Sequence, residues 1–269
     1  VPMLLVFLQN DTGSALVFAS FVFVLFREGL SAYVLVFGAA LIVLFVSALL
    51  IDKYILVGIL FALCLVAWLV IKRKSHRTKV WLFLVCFLIS SAVVFAVDVV
   101  FDKGLEQHQK DRIEVLLGKK EDLKGVGYNV NQSKIAIGSG GFLGKGFLNG
   151  TQTKYNFVPE QDTDFIFCTI GEEWGFVGSS ITIILFLTLC IRLVKMAERQ
   201  RSKFARIYGY GVASIIFFHF FVNIGMTIGL LPVIGIPLPF ISYGGSSLWA
   251  FTLLLFIFIR QDASRLELI

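Results

Sequence analysis

Long apolar runs separated by short charged stretches make up most of this chain. Residues 29–51, 54–71, 80–97 and 207–259 carry no charged side chain. A run of about 18 or more apolar residues is long enough to cross the bilayer core of roughly 30 Å. In lipid such a run must be helical, because only a helix satisfies its own backbone polar groups there. The pattern predicts seven spans, at 12–26, 31–51, 54–71, 80–99, 165–191, 206–230 and 246–260, with residues 1–8 as the tail of an earlier one. The expected fold class is therefore an all-α polytopic integral membrane protein.

One long polar passage, residues 101–164, interrupts the runs. Its first half contains EQHQKDRIEVLL, the composition of a surface helix. In its second half Val130, Ile135 and Ile137 are placed to lie along an interface, and GSGGFLGKG permits tight turns and close backbone approach. Loops this long are usually functional or disordered. The Phe, Tyr, Ile and Leu scattered through 126–158 argue against disorder. A second non-helical passage, PVIGIPLPFISYGGSS from Pro232 to Ser247, must line a cavity or pack on protein. It is a candidate second wall for a site.

Composition agrees with the pattern. Hydrophobic residues make up 57% of the chain, 28 of them Phe, and the mean hydropathy is +0.85, well above a soluble domain. The net charge of +6 sits at span ends, which is how membrane proteins fix orientation rather than how they bind nucleic acid. Arg27, the Lys72–Lys79 cluster, the Arg192–Arg206 connection and the C-terminus with Arg260 and Arg265 alternate as cytoplasmic. Gln9–Asp11, Asp52–Lys53, residues 100–164 and residues 231–245 then face outward. The four cysteines fall in different apolar runs and form neither a disulfide framework nor a metal pattern. Val1 enters in mid-segment and the first methionine is Met3, so we expect a fragment lacking upstream spans.

Candidate chemistry gathers at the end of the long loop. Asp164 precedes an unbroken apolar run, with Thr163 or Asp162 as the expected N-cap. Glu160, Asp162 and Asp164 either cap the helix and favour its positive end or form a site. Glu172 and Glu173 lie about two turns inside the same span, where charge is costly and faces a bundle interior or a water-filled cavity. Helical geometry makes Glu172 the better of the two to share a cavity with Asp164; pairing with a loop lysine is the alternative. His219 and Asn223, at i and i+4, act as interhelical glue or line a pathway. No His/Cys/Asp cluster has metal spacing, no Ser-His-Asp set is visible, and no inverted repeat with broken helices is apparent.

QSKIAIGSGGFLGKGFLNGTQTKYNFVPEQDTDFIFCTIGEEWGFVG, from Gln132 to Gly178, closely resembles the signature of the SEDS family of bacterial cell-wall synthesis, which includes RodA, FtsW and SpoVE. VNIGMTIGLLPVIGIPLPFISYGGSS resembles that family's second signature, and LQNDTGSALV is similar to its Gln-Pro-Asp-Leu-Gly segment. GTQ before VPE, and the Lys of QSK, point to the RodA, or elongation, branch. Asn10 replaces the usual Pro, and Asp162 stands where a His commonly precedes Thr-Asp.

The resemblance implies a single membrane domain over residues 1–269, part of a fold of about ten helices, in the bacterial plasma membrane. It implies a peptidoglycan glycosyltransferase that uses lipid II, a disaccharide on undecaprenyl pyrophosphate, during cell elongation. Asp164 matches the family's essential carboxylate, the expected base of an inverting transfer. Lys134, Lys145 or Lys154, or a divalent cation (Mg or Mn), would meet the pyrophosphate. Gln132, Ser139, Glu160, Glu172, Ser242 and Tyr243 complete the substrate-binding candidates. The implied partner is a class B penicillin-binding protein, a transpeptidase. The competing readings are a lipid II flippase or transporter, and a non-catalytic scaffold.

Overall fold

The computed structural model describes residues 2–9, 11–74, 80–99, 101, 107–118 and 125–266. Asn10 and the Ser75–Lys79 part of the basic cluster lie outside the described residues. The apolar runs fold as expected into helices: α1 (Pro2–Leu8), α2 (Thr12–Ala19), α3 (Val22–Arg27), α4 (Ala32–Leu50), α5 (Lys53–Lys74) and α6 (Val80–Val99). The long loop contributes α7 (Gln107–Leu116), α8 (Val126–Gly140) and α9 (Thr151–Lys154). Then come α10 (Ile166–Glu198), α11 (Lys203–Thr227) and α12 (Gly245–Ala263), and the described chain ends on a 3-10 turn, Ser264–Leu266. Among the described residues, four helices are long and apolar enough to cross a membrane: α4, the Lys53–Val70 part of α5, α10 and α11.

The chain divides into two compact units. The smaller, residues 31–111, packs α4, α5 and α6 through Ala48, Leu56, Val94 and Val97. Most of their other large apolar side chains stay exposed, Tyr33, Ile42, Leu63 and Leu88 among them, as lipid-facing side chains must be. The larger unit holds residues up to 30 and from 112 onward. Its core forms where α10, α11 and α12 meet, around Phe186, Leu193, Ile216, Phe220 and Phe258.

Basic residues at the helix ends form ion pairs between helices. Arg206 makes two hydrogen bonds of 3.0 Å to the carboxylate of Glu28. Arg27 pairs with Glu198 and Arg199 with Asp262. These pairs join the ends of α3, α10, α11 and α12.

Three expectations need correction. The predicted span 12–26 is two helices, because Ser20 and Phe21 donate to carbonyls three residues back, Val17 and Phe18, in a tight turn. The span predicted to end at 191 continues to Glu198. Within that span the chain is broken: Gly175 has φ 63° and ψ −156°, a region open essentially only to glycine. The backbone groups freed by the break are taken by the Gly141–Gly146 loop. Lys145 and Gly146 N–H donate to the carbonyls of Glu172 and Glu173 at 3.0 and 2.9 Å, and Phe176 and Val177 N–H donate to Gly141 and Phe142 at 2.9 and 3.2 Å. Broken helices do therefore occur here. The break is tolerated where its freed groups find partners in protein, as these four do.

The same loop stays close because α8 crosses α10 through small residues. A Cβ at Gly140 would lie 2.0 Å from the Gly171 carbonyl oxygen, so the two backbones touch, as small-residue crossings allow.

Candidate active site

The turn before α10 carries Asp164. Glu160 adopts φ 56°, and its carbonyl accepts from Thr163 N–H at 3.2 Å and Phe165 N–H at 3.0 Å. Three successive carbonyls are then clamped from outside the turn. Tyr243 N–H donates to Asp162 at 2.8 Å, Ser242 Oγ to Thr163 at 2.6 Å, and Asn223 Nδ2 to Asp164 at 2.8 Å. Asn223 also holds the Ile236 carbonyl at 2.7 Å, and Ser242 Oγ accepts from Leu238 N–H at 2.7 Å. The 232–247 passage is thereby packed on protein against the turn, one of the two outcomes its sequence allowed.

The backbone of Asp164 is held, yet its carboxylate is not. Among the described residues that side chain makes no hydrogen bond or ion pair. It faces Gly235, where a Cβ would stand 3.3 Å from Oδ2. Desolvation raises its pKa above the ordinary aspartate value, and the nearby Glu160 charge raises it further; Arg112 on α7 acts in the opposite direction. The N-terminal motif reaches the same wall: a Cβ at Gly13 would lie 3.1 Å from the Ile234 carbonyl oxygen. Asp11 caps α2 by accepting from Ser14 N–H at 2.9 Å.

The sequence placed Thr163 or Asp162 as the N-cap of α10. Phe165 occupies that position without a side-chain cap bond, because Thr163 Oγ1 donates to Glu160 Oε2 at 2.9 Å instead. Asp164 thus precedes the helix, and the helical angle that paired it with Glu172 does not apply. Glu172 belongs to a separate buried knot. Its Oε1 accepts from Lys145 Nζ at 2.7 Å, Thr151 N–H at 2.8 Å and Gln152 N–H at 2.9 Å. Its Oε2 accepts from Thr153 N–H and Oγ1, both at 2.9 Å. Ser139 Oγ donates to the Ala136 carbonyl at 2.8 Å and lies 3.3 Å from Glu172 Oε1. Glu172 is fully buried and caps α9, which pins the loop that fills the break in α10.

The predicted set therefore separates. Asp164, Glu160, Ser242 and Tyr243 gather at the turn, with the Tyr243 ring 79% exposed. Lys145, Ser139 and Glu172 are committed to the knot. Lys154 is exposed on α9 and Gln132 half-buried on α8, neither with a side-chain partner among the described residues. Lys134 on α8 extends over Gly229, where a Cβ would lie 2.2 Å from its Cε. It lines a cavity of about 50 Å³ that also includes Arg112 and Asn131. The His219–Asn223 pair ties α11 to the 232–247 passage rather than to another helix, with His219 Nδ1 3.2 Å from the Pro237 carbonyl. Arg112 went unnoticed in the sequence; its one signal is the mixed-charge helical pattern of α7. Among the described residues no three His, Cys, Asp or Glu side chains gather to hold a metal ion.

The sequence pattern of the family described as cell cycle protein, FtsW/RodA/SpoVE, matches residues 41–266. The chain belongs to this family. It is 48% identical over 144 residues to the peptidoglycan glycosyltransferase MrdB of Escherichia coli K12, covering 54% of this chain and 39% of that protein. It is 43% identical over 145 residues to RodA of Treponema pallidum, named a peptidoglycan glycosyltransferase, covering 54% of this chain and 34% of that protein. Helicobacter pylori J99 MrdB is 41% identical over 180 residues, or 66% of this chain and 44% of that protein. The match thus spans less than half the length of these curated relatives. A chain in a solved peptidoglycan synthase complex, described as coordinating polymerization and crosslinking, superposes with a TM-score of 0.52 at 29% identity, covering 69% of this chain and 50% of that chain.

Proposed function

We propose that the protein is a peptidoglycan glycosyltransferase that polymerises lipid II, with Asp164 as the base of an inverting transfer. The observation that carries this reading is the contrast within one turn. Three successive carbonyls are clamped, while the carboxylate they present has no partner among the described residues. A base has to be held in place and left unpaired. In the reaction the acceptor hydroxyl attacks the anomeric carbon of the donor as Asp164 takes its proton. The bond to pyrophosphate breaks with inversion, and the electron pair leaves on phosphate oxygen. Pyrophosphate needs positive charge rather than a proton donor. Raising the aspartate pKa brings the base nearer to working pH and strengthens it as a proton acceptor.

A divalent cation, Mg or Mn, would be held chiefly by the substrate's phosphate oxygens, with Glu160 as the one carboxylate of the turn left to it once Asp164 serves as base. Bound, it would neutralise charge on the departing pyrophosphate. The distribution of Lys and Arg supports an orientation in the bacterial plasma membrane with residues 101–164 outside and the C-terminus in the cytoplasm. Similarity to a chain of a synthase complex that couples polymerization to crosslinking supports a class B penicillin-binding protein as partner.

Against transport stands the break in α10. Four of its backbone groups are already occupied by the 141–146 loop, which removes them from coordinating a passing ion. The test uses full-length protein with its transpeptidase. Asp164→Asn should abolish polymerisation of purified lipid II with folding intact. Unchanged polymerisation would remove Asp164 as the base; movement of lipid II across vesicles without polymerisation would favour the transporter.

A further inference from the structure

Beside the Asp164 turn, α7, α8 and the end of α11 enclose the small cavity of about 50 Å³ lined by Arg112, Asn131, Lys134, Gly229 and Pro232. Its position is set by α8, where buried Ser133 donates to the Thr227 carbonyl at 2.9 Å and so fixes that helix to the end of α11. The next residue, Lys134, is carried over Gly229. Two cations therefore converge on one cavity, and neither makes a hydrogen bond or ion pair to an acid among the described residues. The Nε of Arg112 is buried with no hydrogen-bond acceptor, a costly state that calls for an explanation. Lys134 has no acceptor among the described residues. Two positive groups held side by side favour an anion between them.

We propose that Arg112 and Lys134 form a cradle for the pyrophosphate of a polyprenyl-pyrophosphate substrate. The proposal deepens the transferase reading and rests on it for the identity of the substrate. An arginine fork beside a lysine point charge suits adjacent phosphate oxygens. The arginine is also within electrostatic reach of Asp164, so the cradle places leaving-group charge near the base. Lys145, the other lysine in the 132–146 segment, is already consumed by Glu172. Of the two lysines left, Lys134 lines the cavity with Arg112 and Lys154 does not, so the assignment selects Lys134.

The experiment measures binding of undecaprenyl pyrophosphate, without sugars, to the full-length protein in nanodiscs. Arg112→Gln and Lys134→Gln should each weaken binding by about tenfold or more, the loss expected when one charged hydrogen bond is removed. Melting temperature should stay unchanged, and Lys134→Arg should retain binding. Arg201→Gln, exposed between α10 and α11, should leave affinity as it was. With lipid II, the two Gln variants should raise KM more than they lower kcat. Unchanged affinity in both variants overturns the proposal. So does displacement of the probe by phosphatidylglycerol as effective as by undecaprenyl pyrophosphate itself, which would make the cavity a phospholipid headgroup site. If the variants lose the probe while even the unmutated protein fails to polymerise, the cradle stands and the transferase reading falls.

Discussion

Asp164 and Glu172 flank the start of the same helix, and the protein treats their carboxylates in opposite ways. Glu172 is fully buried and surrounded by donors: a lysine, three backbone N–H groups and the Thr153 hydroxyl among them. Asp164 is half-buried and receives none from the described residues, although its own carbonyl is clamped. A carboxylate whose lone pairs are satisfied holds structure together. One that is desolvated and left open is a cost to the fold, retained for use. The pair separates an acid committed to structure from one left available, without any appeal to relatives.

Mutation should reveal the difference most strongly at Asp164. Replacing it with Asn should cost about 10²–10⁴-fold in polymerisation rate, the usual worth of a positioned base. The same change should leave melting temperature unchanged or higher. The sign follows from its raised pKa: above the ordinary aspartate range the folded protein carries an ionised group it disfavours, and neutral Asn removes that penalty. A fall in melting temperature would contradict the contrast. Glu172→Gln should behave inversely, costing about 3–5 kcal/mol of stability as Lys145 loses its buried partner, with faster proteolysis between residues 141 and 156 as the readout. Gly175→Ala should cost about 3 kcal/mol, since its φ excludes a side chain and the new Cβ would meet Gly144 N at 2.4 Å. Thermal melts of the purified protein check both.

The smallest effect is on pH dependence. The acid limb of the polymerisation rate should lie above the ordinary aspartate pKa, with activity lost as pH falls through it. Arg112→Gln should move that limb upward, because Arg112 favours the ionised form. Glu160→Gln should move it downward, because Glu160 opposes ionisation. Shifts in the reverse directions would mean that another group controls the limb.

Most of the helical architecture was legible because membrane spans announce themselves by composition. Runs without charge leave few alternatives, and all seven expected segments contain helix. That Asp164 stands at the mouth of a helix was legible from its place before an apolar run; its role as base comes from the motif resemblance and is a proposal. The division of labour was not legible. Whether Glu172 shared a cavity with Asp164 depended on where the helix begins, and the Glu160–Thr163 contact shifts that start past Asp164. The break at Gly175 was hidden because glycine is common in membrane helices and its partners lie some thirty residues earlier in the chain. Arg112 lines a cavity built from α7, α8 and the end of α11, which no local pattern records.

The gap at Gly175 also works as a depth gauge. At about 1.5 Å per residue, the uninterrupted stretch from Phe176 to Glu198 measures roughly 34 Å. That already matches a hydrocarbon core of about 30 Å. The segment from Ile166 to Trp174 is then surplus length that stands above the lipid, wrapped by the chain's own loop. Glu172 need never be drawn into the acyl chains, although its place in a 33-residue helix would suggest so. The turn that carries Asp164 is thereby set at the far end of that surplus length.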